Sequence, residues 1–323
     1  MNTTMNGSSC SISLNPTARR IGETFAYCLI FVVSLVGNSF IGIIVYKTQT
    51  LRKPINFFVV NMAISDLLFP IFVFPGQLTL LYVDSQWLIG GPLGQALCKL
   101  LEFFADVSSL VSIQSLVLIA VDRLGAVLFP LRSPFISSKL CSVFILATWI
   151  IAMAVNSPYL FFLKLVEYAD GKLSCEIRWS EAFGDSSSKE DYFLALAVVF
   201  LYFPIALLIM LYSIIVIKLR SQKIPGEHSI IVEQERARRN RKVVKMSMAI
   251  VVGFVLCWVP LSIGILLLFF APELPCGFFL YSRIALFLAY SNCAINPWIC
   301  FSFSTNFRQG LKKLLKCFDD ADE

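Results

Sequence analysis

The chain has 323 residues, 57% hydrophobic and 15% charged, with a mean hydropathy of +0.76. That is too apolar for a soluble domain of ordinary composition and assigns the chain to a membrane. The net charge of +6 does not point to nucleic acid, because the lysines and arginines stand in short gaps between apolar runs, where membrane topology accounts for them.

The first 20 residues are rich in Asn, Ser and Thr and carry glycosylation sequons at Asn2 and Asn6, while Asn15 is excluded by Pro16. No basic start leads a short apolar core, so no cleavable signal is expected and the first apolar run serves as the insertion signal. Seven runs long enough to span a bilayer follow, at roughly 22–46, 55–82, 96–128, 140–163, 192–217, 243–270 and 278–301. The gap at 218–245 holds nine basic residues against three acidic, whereas 164–191 holds seven acids against four bases. With an odd number of spans, this asymmetry puts the N-terminus outside and the C-terminus inside. In the tail, Phe303, Phe307, Leu311, Leu314, Leu315 and Phe318 recur at helical spacing beside Arg308, Lys312, Lys313 and Lys316, the pattern of a helix lying on membrane lipid. Cys317 at its end is either a palmitoylation site or an ordinary reduced thiol. The expected fold is an all-α membrane protein, a seven-helix bundle over 22–302 with an extracellular glycosylated segment at 1–21, an amphipathic surface helix at 303–318 and an acidic tail at 319–323.

Ionisable and polar residues inside spans are costly, and so mark function or pairing. The third span closes on Asp122, Arg123 and Leu124, where an adjacent acid and arginine satisfy each other and the arginine can exchange partners when neighbouring helices move. Asn38, Asp66, Ser112, Asn292 and Asn296 lie at comparable depths. One carboxylate and several neutral oxygens suit either a cage for a hard monovalent cation or simple hydrogen bonding between helices. Prolines at 70, 75, 158, 204, 260 and 297 each remove a backbone hydrogen bond and permit a kink.

These residues resemble the rhodopsin-like, or class A, G-protein-coupled receptors over 22–317. Gly37 and Asn38 match the first span, Asn61, Ser65 and Asp66 the second, and Asp122, Arg123 and Leu124 the DRY segment of the third. Trp149 matches the fourth span and Pro204 and Tyr212 the fifth. Phe254, Cys257, Trp258 and Pro260 match FxxCWxP in the sixth, and Asn296 and Pro297 match the seventh. The resemblance implies a disulfide between Cys98 and Cys175; Cys10 and Cys276 remain as a second outside pair. It implies a sodium ion held by Asp66, Ser112, Asn292 and Asn296, and a packed switch of Trp258, Phe254, Ile113 and Pro204 beneath the ligand. It also implies that Arg123, released from Asp122, meets a heterotrimeric G protein, with Leu131 and Tyr212 as further inner residues and arrestin as a second partner. Two positions depart from the pattern: Leu124 replaces the tyrosine of the triplet, and Cys300 replaces the tyrosine of NPxxY, so a hydroxyl expected to support the active state is missing.

For the ligand, Tyr290 stands where a retinal-binding lysine would be, and Ala105 where amine receptors carry aspartate. Asp106 lies about 100° further round the helix. Asp84, Glu102, Asp106 and Glu176 near the entrance suit a basic ligand, although Asp84 and Glu273 read best as solvated charges. Gln77, Trp258 and Tyr290 complete the expected ligand pocket. The segment from Arg238 to Pro260 looks most like the galanin, neuropeptide Y and RFamide receptor groups, which implies a short cationic neuropeptide as extracellular ligand and a non-enzymatic role at the plasma membrane. A non-peptide small molecule, or a weakly signalling scavenger receptor given Cys300, is the alternative.

Overall fold

A computed structural model describes residues 15–83, 87–129, 135–221 and 230–319. Asn2, Asn6, Cys10, Asp84 and Leu131 lie outside them, and the Cys317 side chain is not among the side chains described.

Seven helical segments are long and apolar enough to cross a bilayer. The first span is α1 (Pro16–Lys47), opened by Pro16 with the Asn15 side chain accepting from the Thr17 amide. The second is α2 (Pro54–Asp66) continuing through a π-helical turn, Phe69–Val73, into α3 (Phe74–Tyr82). The third is α4 (Gly91–Leu128), and the fourth combines α5 (Ser138–Asn156) with the short α6 (Tyr159–Phe162). A hairpin of β1 (Leu163–Glu167) and β2 (Leu173–Ile177) follows, then α7 (Trp179–Phe183). The fifth span runs from α8 (Lys189–Ala197) through a second π turn, Val198–Tyr202, into α9 (Phe203–Ser221). The sixth and seventh spans are α10 (Ile230–Phe270) and α11 (Phe278–Phe303), and α12 (Thr305–Asp319) is the expected surface helix.

The apolar runs find the spans, but the helices overrun them. The sixth begins at Ile230 rather than near 243, because the basic segment ahead of the apolar run is helix-forming and continues the same rod beyond it. The prolines do more than kink. Pro70 lies inside the first π turn and Pro204 directly after the second, where one extra residue per turn absorbs the missing N–H and the ring.

The third span is the axis of the bundle, packing against α2, α5, α9 and α10. The apolar windows of the second and third spans are 61% buried, those of the fourth and fifth only 22% and 17%, so the latter two face lipid. Val143, Leu146 and Ile150 of the fourth span and Ile209, Ile214 and Ile217 of the fifth are exposed apolar residues of that outer surface, stable there only against hydrocarbon.

The hairpin was not expected from the acidic composition of 164–191. Its residues pair antiparallel from Leu163 with Ile177 to Glu167 with Leu173. Asp170 and Gly171 turn the chain, Gly171 at φ +77° as the left-handed position of a three-residue loop. The Tyr168 amide donates to the Lys172 carbonyl at 2.8 Å to close it.

Candidate functional site

The functional side chains fall into three layers along the third span. At the end expected to face outward, Cys98 is bonded to Cys175 with Cα atoms 5.6 Å apart, which pins β2 over the helix end. Gln95 fixes the hairpin from the other strand: its Nε2 donates to the Leu163 carbonyl at 3.1 Å and its Oε1 accepts from the Leu165 amide at 2.9 Å. The Trp87 amide donates to Leu173 at 2.8 Å, holding the free edge of β2. Nothing in sequence spacing singled out Gln95 or Trp87. Cys276 is disulfide-bonded too, and the cysteine expected opposite it, Cys10, is among the residues not described.

Beneath the hairpin, Glu102 and Asp106 stand one helical turn apart on the third span, Glu102 exposed and Asp106 half-buried. The Tyr159 hydroxyl donates to Asp106 Oδ2 at 2.5 Å, and Tyr192 on the fifth span interacts electrostatically with Asp106. Tyr290 on the seventh span is buried against Tyr27, Phe69 and Phe74 and lies within electrostatic reach of both carboxylates. Gln77 is half-buried on α3. Glu176, expected to be free for ligand, is committed: its carboxylate pairs with Arg178 at 2.9 Å and accepts from the Tyr168 hydroxyl. Arg178 also lies 3.9 Å from Glu181, which pairs with Lys164 at 2.6 Å. These bonds hold the Glu181 carboxyl below the usual glutamate range, and the bond to Glu176 pushes the Tyr168 phenol up. At the rim, Arg283 Nη2 pairs with both oxygens of Glu23 at 2.5 and 2.6 Å, and Thr24 shares a 2.8 Å hydrogen bond with Tyr82, so the first span is tied to the seventh and to α3.

In the middle layer, Asp66 is 0% exposed. Its Oδ1 accepts from Ser112 at 3.2 Å and its Oδ2 from Asn296 at 2.8 Å. Ser65 joins Ser112 at 3.1 Å, and Ser108 donates to the Ser65 carbonyl at 2.8 Å. Asn292 Oδ1 is buried without a hydrogen-bond partner. The Asn38 nitrogen is engaged elsewhere, while its Oδ1, like that of Asn292, is buried without a partner. Pro297 has no N–H, which would orphan the Cys293 carbonyl one turn back, and Asn38 Nδ2 donates to that carbonyl at 2.9 Å. Gly37 lets the two helices approach there, since a Cβ on it would stand 2.7 Å from Pro297 Cβ. Asn61 likewise joins three spans, donating to Ser115 at 2.9 Å and Thr148 at 3.2 Å and accepting from Trp149 at 2.8 Å.

Trp258 stands between these layers, 6.1 Å from the Phe254 ring and 6.4 Å from Phe69, with its indole N–H unbonded. Phe254 and Ile113 are buried in the main core beside it. The Tyr281 hydroxyl donates to the Pro260 carbonyl at 2.6 Å, and Tyr202 shares a 2.9 Å bond with Ser262, so the fifth, sixth and seventh spans are tied around the sixth-span proline.

At the opposite end of the third span, Arg123 forms an ion pair with Asp122, whose carboxylate is nearly inaccessible at 2% residue exposure. The arginine is thereby held against the carboxylate of its own helix. Among the described residues Arg123 Nε has no partner, and the Tyr212 hydroxyl is buried beside Ser247 and within electrostatic reach of Arg123. Cys300, 0% exposed, fills the position of the missing tyrosine.

The family model of the seven-transmembrane receptors of the rhodopsin family matches residues 37–299. The RYamide receptor of Drosophila melanogaster is 33% identical over 300 residues, covering 90% of this chain and 62% of that protein. Neuropeptide receptor 22 of Caenorhabditis elegans is 31% identical over 319 residues, covering 94% and 72%. The substance-P receptor of Mus musculus is 28% identical over 318 residues, covering 98% and 76%. This chain therefore spans less than two thirds of the first of these and about three quarters of the others.

Proposed function

Since the chain belongs to the rhodopsin family of seven-transmembrane receptors and is a multi-pass membrane protein, we propose that it binds a short cationic peptide from outside the cell and activates a heterotrimeric G protein inside. The observation that carries the ligand reading is the group of residues under the hairpin, where Asp106 is bonded by Tyr159, Tyr192 and Tyr290 from two further spans lie within electrostatic reach, and the rim arginine Arg283 is neutralised by Glu23. A cation is attracted to such a surface and an anion repelled. The relatives named for RYamide, neuropeptide and substance-P binding agree with a peptide.

Coupling rests on the Asp122–Arg123 pair, opened when the sixth span swings about Pro260 and Arg123 is freed for the G protein, with arrestin as a competitor for the same inner face. Orientation follows from the basic inner loop at 218–245, the disulfide-bonded hairpin at the opposite end and the expected glycans on Asn2 and Asn6, and the location is the plasma membrane. Asp66, Ser112 and Asn296, with the unpartnered Asn292 oxygen, supply a charged oxygen and neutral oxygens that fit a sodium ion, which would offset the buried carboxylate and favour the closed bundle. Cys10 is the partner proposed for Cys276, and Cys317 the site of palmitoylation beside membrane lipid.

The test is G-protein activation in cells expressing the chain, read with a subtype-resolved sensor panel across a library of short basic amidated peptides. A saturable response that Arg123→Ala abolishes and Asp106→Ala moves to higher dose is expected. Silence with confirmed surface expression overturns the peptide reading and favours the weakly signalling receptor that Cys300 suggests.

A further inference from the structure

The bend of the sixth span is gripped by its two neighbours. Pro260 lies inside α10 and has no N–H, so the Leu256 carbonyl one turn back loses its helical donor and the helix is weakest there. Just past that gap, two consecutive carbonyls accept from side chains. The Tyr281 hydroxyl of the seventh span donates to the Pro260 carbonyl at 2.6 Å. The Ser262 hydroxyl donates to the Val259 carbonyl at 2.9 Å, which uses its one hydrogen, so in the 2.9 Å bond between Tyr202 and Ser262 the tyrosine is the donor. A relay therefore runs from Tyr202 of the fifth span through Ser262 into the backbone beside the proline. Residues two apart stand about 200° apart round a helix, so Pro260 and Ser262 are held from opposite flanks. Both tyrosines are themselves fixed: Tyr202 ends the π turn that precedes Phe203 and Pro204, and the Tyr281 ring lies 6.4 Å from the Phe278 ring, against Gly264, where a Cβ would stand 3.2 Å from it. Nearer the start of the same helix the grip is looser, since Arg241 Nη2 reaches the Leu219 carbonyl of the fifth span only at 3.5 Å.

Resting on the reading that this chain signals through a swing of the sixth span, we propose that Tyr202 and Tyr281 are positioning residues that hold the bend at Pro260 in the conformation where Arg123 is paired with Asp122, and that signalling requires these bonds to open. A change in the bend angle turns the Val259 and Pro260 carbonyls, and hydrogen bonds weaken steeply once their angle is lost. A sideways movement that relaxes the bond on one flank stretches the bond on the other, so the two tyrosines together permit one position of the hinge where either alone permits a range. The clamp acts on the backbone of the hinge and not on the Asp122–Arg123 pair itself, so its hydroxyls set how often the sixth span leaves its place, while Arg123 remains the group offered to the G protein.

The test uses the purified full chain in lipid nanodiscs, without ligand, carrying a trifluoromethyl label on Lys242→Cys, an exposed position of the sixth span, with Cys28 and Cys317 replaced by serine so that the label has one site. Fluorine NMR reads the ratio of displaced to undisplaced sixth span. Tyr281→Phe and Tyr202→Phe keep the rings and each raise that ratio by ~5-fold, the worth of one ordinary hydrogen bond. Ser262→Ala breaks the same relay as Tyr202→Phe, so combining those two adds nothing beyond the larger single effect, whereas Tyr202→Phe with Tyr281→Phe reaches ~25-fold because the two bonds are separate. Ligand-free nucleotide exchange on a purified G protein rises in the same order. Should a tyrosine variant fail to fold, Ser262→Ala carries the same expectation with the smallest change in volume. A role confined to stability lowers the thermal midpoint and leaves the ratio where it was, and that result in the phenylalanine and Ser262→Ala variants overturns the clamp. An unchanged ratio alongside exchange that Arg123→Ala abolishes overturns the clamp and leaves the coupling reading in place. A ratio that rises while no G protein exchanges nucleotide keeps the clamp and overturns the coupling reading.

Discussion

Asn38 shows how a single side chain compensates for a backbone defect. Pro297 leaves the Cys293 carbonyl without its helical donor, and Asn38 supplies one at 2.9 Å from another span. Asn38→Leu leaves that carbonyl buried and unpaired, and a loss of about 1–3 kcal/mol is expected, read as a lower thermal midpoint in detergent. Gly37→Val introduces a Cβ into the 2.7 Å gap above Pro297 and costs a similar ~1–3 kcal/mol by forcing the first and seventh spans apart. Both changes act far from Arg123, so the midpoint should move without loss of the Asp122 pair. Some single residues were legible before any fold. Asp122 and Arg123 announce themselves as adjacent opposite charges at the end of an apolar run. Asn38 reads equally well as cation ligand or interhelical bond, and the choice depends on the rotation of one helix against another.

Among the elements, the β1–β2 hairpin is the one the acidic composition of its segment concealed. Its signal was present: LKLVE and LSCEI flank a turn containing Asp170-Gly171. Gly171→Val places a β-branched side chain at φ +77°, with a local strain of about 1–2 kcal/mol. Hydrogen exchange should then accelerate at the Tyr168 and Gly171 amides while the spans stay protected. The Lys164–Glu181 pair adds a pH dependence to the same element. Because Glu181 titrates below its ordinary value when folded, its contribution is present above the usual glutamate range and disappears as the pH falls through the lowered folded value. Carboxyl NMR titration of Glu181 should show the lowered value, and Lys164→Ala should return it toward the ordinary one. What spacing could not supply is Gln95, which meets β1 with both ends of its amide only because a disulfide 77 residues long in sequence brings hairpin and helix together.

At the scale of the molecule, the third span carries the outer disulfide, the crevice acids, Ser112 and the inner ion pair on one continuous helix. Removing the cross-link with Cys98→Ser and Cys175→Ser frees a long loop in the unfolded chain and should cost up to about 4 kcal/mol, read as a lower midpoint with unchanged helical content. The bundle survives because most of its core residues come from the spans and not from the hairpin. Cys300→Tyr tests the other end. Cys300 has no exposed surface, so the larger ring overpacks the closed bundle by about 1–3 kcal/mol. The expected outcome is a lower midpoint together with higher basal G-protein activation, measured in the same preparation.

Hydropathy alone determined that this chain spans a membrane seven times, because burial in hydrocarbon demands an unbroken apolar run whatever the neighbours are. Local charge likewise determined the inner ion pair and the acidic outer crevice. Only the tertiary structure decided that Glu176 is spent on Arg178 and Tyr168 while Glu102 has no ion pair among the described residues, and that the Asn38 nitrogen serves the carbonyl a proline leaves free. Which polar group meets which is set by the depth and rotation of helices distant in sequence, and a single strand of text carries no record of either.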